Sequence, residues 1–273
     1  ACSLAVLLSP DITQAAADPD KIYRTYFPAA EDGFDPVEFA SLYSSIVSEA
    51  IFERLLTYDY LARPAKVVPM VAESLPEVSG DGRTYIFKLK KGIFFTPDPA
   101  FNGKPRELVA GDFVYSFKRF MDPKLHSPWQ FLLEGKITGL DELATEAQKS
   151  GRFDYDKKIE GLAAVDNYTL RIRLNAPDYN FNYIMAHASF GALAREVVEA
   201  YNKDIIAHPV GTGAYLLKEW KRRNRIVLEA NPGYRGFIWN FKSSGDPADE
   251  QLIREMQGKT MPTIGRIEIA IME

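Results

Sequence analysis

Three stretches of this chain alternate apolar and polar residues with the two-residue period of a half-buried strand. In Thr84–Lys90, Tyr85, Phe87 and Leu89 share one face, while Lys88 and Lys90 lie on the other with Ile86. In Thr169–Leu174, Leu170, Ile172 and Leu174 alternate with Arg171 and Arg173. Arg266–Met272 repeats the pattern next to Glu273. Strands with one wet face belong to antiparallel or mixed sheets rather than to doubly covered parallel ones. The helical segments between them are short and scattered, so the expected fold class is α+β with sheets of mixed direction. With 46% hydrophobic residues in 273, a real core is available, in one large domain or two medium ones.

Local signals fill in the order of elements. Ile22–Tyr26 reads as a first strand. Asp35-Pro36 is expected to open a helix, with Asp35 as cap, Pro36 in the first turn and Glu38 completing a capping box. Phe39, Leu42, Tyr43, Ile46, Val47, Ala50, Ile51 and Leu55 then recur at helical spacing, which predicts a core-facing stripe. Strands are expected at 55–59, at 73–78 paired with 84–90 across Ser79-Gly80-Asp81-Gly82, and at 162–165 paired with 169–174 across Asp166-Asn167. Gly111–Met121 predicts a short helix with Phe113, Val114, Phe117 and Phe120 inward. A polar helix is expected at 141–150 and another at 194–201. Strands at 214–220 and 225–230 flank the basic run Lys221–Arg225, which reads as a solvated hairpin turn.

Catalytic signatures are missing from the sequence. His126, His187 and His208 are far apart and without metal-ligand spacing to one another or to the single cysteine, Cys2. There is no G-x-S-x-G elbow and no phosphate loop with its lysine; Gly211-Thr212-Gly213 reads as a tight backbone path into a strand. The carboxylate groups Asp18/Asp20 and Asp246/Asp249/Glu250 sit in polar segments and read as solvated. A net charge of −4 argues against a nucleic-acid partner. More informative are aromatics in loop-like stretches, Phe34, Trp129, Tyr179, Phe181 and Trp239, because rigid aromatic area suits a binding cleft, although it can equally cover sheet edges.

The ends carry their own expectations. Leu4–Leu8, Ser9-Pro10 and Gln14–Ala17 resemble the end of a secretory signal peptide, with cleavage after Ala17 and a mature start at Asp18. Lipidation at Cys2 is the lesser alternative. A strand running to the last residue suggests truncation.

Seven segments in order resemble the family 5 extracellular solute-binding proteins, the group that contains periplasmic dipeptide- and oligopeptide-binding proteins. They are Gly33–Pro36, Ile51–Asp59, Val68–Ser74, Asp81–Phe95, Arg106–Ser116, His208–Tyr215 and Asn231–Gly236, with Asp81–Phe95 the most specific. The departures are small: Ala214 replaces a proline, Gly111 replaces a glutamate, and Thr96–Pro105 is long. The resemblance implies a type II-like binding-protein shell whose third domain lies beyond this sequence. Residues 18–56 and 208–273 would form a discontinuous first domain, 57–207 an inserted second domain, and 1–17 the signal-peptide remnant. It further implies an exported, periplasmic and monomeric protein that captures peptides or similar solutes for the permease subunits of an ABC importer. No cofactor and no chemistry are called for. The ligand-facing region would lie at Phe39, Ala40 and Ser41, with the loop aromatics Phe34 and Trp129 as further candidates. A secreted hydrolase, which would turn over a substrate, is the alternative from another class. An exported chaperone or adhesion domain is a third.

Overall fold

The computed structural model of the protein describes residues 17–272. The expected signal remnant, Cys2 included, therefore lies outside the described residues apart from Ala17. In chain order the elements are β1 (Asp18–Phe27), α1 (Leu42–Ile51), β2 (Leu56–Tyr58), β3 (Val67–Pro69), β4 (Glu77–Val78) and β5 (Thr84–Lys88). There follow α2 (Ala110–Arg119), α3 (Leu140–Ser150), β6 (Leu162–Asp166), β7 (Thr169–Arg173), α4 (Phe181–Ile184) and α5 (Arg195–Tyr201). The last are β8 (Tyr215–Lys221), β9 (Arg225–Ala230), β10 (Phe237–Ile238), α6 (Pro247–Met256), β11 (Thr260–Met261) and β12 (Ile264–Ile271).

The fold is α+β, as the strand patterns require. One four-stranded sheet has the order β1-β12-β9-β8 and is mixed: β1 runs parallel to β12, and the other pairs are antiparallel. It joins the two ends of the described chain. A second sheet, β4-β5-β7-β6, is wholly antiparallel and built from residues 77–173. Its inward face carries Tyr85, Phe87, Leu170 and Ile172, all buried, while Lys88, Arg171 and Arg173 face water. Two small hairpins, β2-β3 and β10-β11, complete the strands.

The helix expected from Asp35 begins later. Ser41 is its N-cap, in extended backbone, with its Oγ accepting the Tyr43 N–H at 3.2 Å. The stripe is also not all core. On a wheel of about 3.6 residues per turn, the buried arc of α1 is Ser44, Val47, Ser48 and Ile51. Leu42 and Ile46, on the opposite side, are 67% and 47% exposed. Ser44 and Ser48 occupy the buried side with Val47 and Ile51, which leaves Leu42 and Ile46 toward solvent.

α2 follows its pattern more closely. The Asp112 carboxylate accepts the Val109 N–H at 2.8 Å, which satisfies one open amide of the first turn. Phe113, Phe117 and Phe120 have no exposed surface, and Phe120 stacks on Phe190 at 4.8 Å. Burying each such ring stabilises the fold by roughly 2–3 kcal/mol. The polar helix α3 is not wholly exposed, because Leu140, Leu143, Ala144 and Ala147 bury one side of it. α6 had no counterpart in the periodicity reading. Asp246 caps it through the Ala248 N–H at 2.9 Å, with Pro247 in the first turn. Asp249, expected to be solvated, is buried and meets Arg63 at 3.0 Å.

Gly211 and Gly213 bring the chain across the C-terminal end of α1. A Cβ on Gly211 would lie 2.0 Å from the Ile51 carbonyl oxygen, and one on Gly213 would lie 2.6 Å from the same atom. The Gly213 N–H donates to that oxygen at 2.8 Å, so this is the tight path expected of the Gly-Thr-Gly segment. The basic run forms the β8-β9 turn, with Asn224 N–H donating to Lys221 O and Arg223 at positive φ.

Candidate functional site

The segment between β1 and α1 is organised by carboxylates. Asp32 Oδ2 accepts the amide protons of Ala40 and Ser41 at 2.7 and 2.9 Å, and the Asp32 N–H donates to Ser44 Oγ at 2.9 Å. This fixes the approach to the helix without a regular element. Ala40 is exposed and Ser41 half-buried, so both reach the surface at the start of α1. Phe39 does not, at 1% exposure, nor does Phe34 at 0%. The Phe34 ring lies edge-on to Trp220 of β8 at 4.9 Å, and its N–H donates to Ile206 O. Phe34 and Phe39 therefore serve the core rather than offering surface to a ligand, because each is held against an element remote in sequence.

Trp129 bridges core and surface. Its Nε1–H donates to Phe39 O at 2.7 Å, and its ring packs on His187 at 4.5 Å and near Phe131 at 6.4 Å. Phe131 is 60% exposed. Burial, with Arg54 nearby, holds the His187 imidazole below its ordinary value, so the ring is neutral at pH 7. Leu42 and Ile46 on α1, with Trp129 and Phe131 after α2, thus leave apolar surface open near Ala40 and Ser41. The remaining loop aromatics disperse: Phe181 is buried, Tyr179 is 95% exposed, and Trp239 lines a separate cavity. His187 could have been expected only as a local hydrogen-bonding residue, and its Nδ1 lies 2.8 Å from Ser189 Oγ.

Behind this surface, Asp35 forms a bidentate pair with Arg119 of α2 at 2.9 and 2.7 Å, both side chains at most 2% exposed. Asp35 was expected as a helix cap; instead it ties the first loop to α2. Burial opposes the charge of Arg119, and the adjoining Asp35 carboxylate more than offsets this, holding the guanidinium above its ordinary value. Glu38 shares the neighbourhood without that partner. Burial, then the Asp35 charge, push its carboxyl up, partly opposed by Arg119. The native state thus holds the Glu38 proton more tightly than the unfolded chain does, and stability is lost as pH rises through the raised value. Glu38→Gln is expected to raise the melting temperature at pH 7 and leave it unchanged at pH 3. A gain of equal size at both would show that the carboxylate charge is not the cause.

The family profile described as bacterial extracellular solute-binding proteins, family 5 Middle, matches residues 66–273. The chain belongs to that family. The family 5 chain is 32% identical over 211 residues to the periplasmic oligopeptide-binding protein OppA of Escherichia coli K12, covering 76% of this chain and 34% of that protein. It is 30% identical over 237 residues to the dipeptide-binding protein of the same organism, covering 82% of this chain and 40% of that one. Among solved structures, Haemophilus influenzae OppA in complex with RPPGFSPFR superposes with a TM-score of 0.68 at 24% identity, covering 94% of this chain and 43% of that one. The pheromone receptor PrgZ superposes with a TM-score of 0.69 at 19% identity, covering 92% of this chain and 43% of that chain. This chain thus spans between a third and a half of the length of these relatives. Proteins of its family bind solutes.

Proposed function

We propose that this chain supplies one side of a peptide trap that serves an ABC importer outside the cytoplasm. The observation that carries the reading is the apolar surface at the start of α1. Leu42 and Ile46 are held outward by a helix whose opposite side is sealed into the core. Contiguous exposed apolar surface rimmed by polar residues marks interaction and binding sites. Relatives named as oligopeptide- and dipeptide-binding proteins support a peptide as the solute. In this reading residues 18–56 and 208–273 form the first domain, 57–207 the inserted second domain, and a third domain closes over Ala40, Ser41 and Trp129. The mixed sheet, which draws strands from both ends of the described chain, supports that division. Closure is selected because the full set of contacts forms only when both lobes engage. The protein is monomeric, is delivered to the periplasm, and hands its solute to permease subunits without chemistry.

Titration of the full-length protein with trialanine by calorimetry tests the reading. Saturable binding is expected, and Trp129→Ala should weaken it at least about tenfold, or ~1.4 kcal/mol. Phe34→Leu, a change in the core, should lower the melting temperature and leave affinity within about threefold. Absence of peptide binding, or a Trp129→Ala protein that binds undiminished, contradicts the proposal.

A further inference from the structure

A cavity of about 610 Å³ lies away from Ala40, Ser41 and Trp129. One wall is the β2-β3 hairpin, with Tyr58 and Met70. The opposite wall is the segment 237–261, with Trp239, Phe241, Met256 and Met261. That volume falls within the roughly 300–1,000 Å³ of small-molecule sites. Trp239 meets Phe241 edge-on at 5.2 Å, and Tyr60, 68% exposed, stands 6.1 Å from Phe241 at the mouth. Methionines beside aromatic rings make a polarisable lining that adapts to flat ligands.

The charges in this cavity do not cancel. Glu53 is buried, and both its oxygens are engaged: Arg235 donates to them at 2.6 and 2.7 Å, and Thr212 Oγ1 donates at 3.0 Å. Lys90 also lines the cavity, and its Nζ donates to Met70 O at 2.7 Å. An ammonium carries further donors, and a guanidinium carries more than Glu53 occupies. The lining therefore holds two cations, Arg235 and Lys90, against one carboxylate, Glu53, both of whose oxygens are already bonded. Burial, then the Arg235 charge, press the Lys90 pKa down, against an opposing pull from Glu53 and Glu73. A bound anion would relieve that, whereas a cationic ligand would add to it.

We propose that this cavity is a second binding site, distinct from the peptide trap, that takes a small aromatic carboxylate. The ring would lie between Met70 and the Trp239–Phe241 wall, and the carboxylate would face Lys90 and Arg235. This does not require that the α1 surface bind peptides.

Calorimetric titration of the full-length protein with 2-naphthoate and its neutral amide, 2-naphthamide, tests it. The acid is expected to bind saturably at one site, and the amide at least about tenfold more weakly. Lys90→Met, which keeps the stem and removes the charge, should bring the two within about threefold. Met256→Trp, which fills the cavity, should weaken the acid at least about tenfold while trialanine titrates as in the parent protein. Saturating trialanine should leave the naphthoate titration unchanged. If Met256→Trp does not fold, the Lys90→Met ratio decides. Absence of saturable naphthoate binding, an amide as tight as the acid, or competition by trialanine overturns the proposal.

Discussion

Replacing Arg119 with methionine is expected to lower the free energy of unfolding by about 3–5 kcal/mol. The reason is the partner left behind. Asp35 has no exposed side-chain surface, and two of its hydrogen bonds come from the guanidinium. The Val37 N–H, which donates to Oδ1 at 3.1 Å, cannot compensate a buried carboxylate by itself. The double variant Asp35→Asn with Arg119→Met removes both charges and keeps an acceptor for Val37. It should recover at least about half of the loss, because buried ion pairs cost most when only one member is removed. Urea unfolding of parent, single and double variants measures this. A single variant that loses less than about 1 kcal/mol, or a double no better than the single, would show that the pair is not what holds the first loop on α2.

The second large effect is expected at Gly211. Gly211→Ala places a methyl carbon 2.0 Å from Ile51 O and 3.0 Å from Phe52 Cδ1. Neither can yield cheaply: that carbonyl already accepts the Gly213 N–H, and Phe52 is 1% exposed. The backbone crossing itself must open, at a cost of about 3 kcal/mol or more. Gly80→Ala is the control, since a Cβ there meets nothing within 4 Å and should change stability by less than about 0.5 kcal/mol. Urea midpoints of the two variants compare them, and equal midpoints would refute the steric argument.

These expectations rest on parts of the molecule that were unequally legible. The β4-β5 and β6-β7 pairings could be read from alternation and from the clear turns between the partners, whereas the β5-β7 pairing that joins them into one sheet could not, because those strands are distant in sequence. The β8-β9 hairpin was equally plain from its basic turn. The site was less so. Phe34 and Trp129 look alike as loop aromatics, yet one is sealed against Trp220 and the other borders open surface. Nothing local distinguishes them, since the difference is made by strand β8, nearly two hundred residues away from Phe34. α6 did carry a signal, Asp246 before Pro247, but only two half-buried apolar side chains, Leu252 and Met256, face the cavity, so its apolar stripe was too thin to stand out.

Period and turn chemistry in the sequence decided the α+β class, the order of the main strands and helices and the tight Gly-Thr-Gly path, while seven ordered segments carried the family resemblance. Those are properties of neighbours along the chain. Tertiary structure alone decided that Asp35 pairs with Arg119 instead of capping a helix, that Leu42 and Ile46 of the α1 stripe face outward, and that Lys90 and Arg235 share a cavity walled by residues 237–261. Each joins residues that are distant in sequence, and such pairings are settled by how elements pack and what charge they bury rather than by local periodicity.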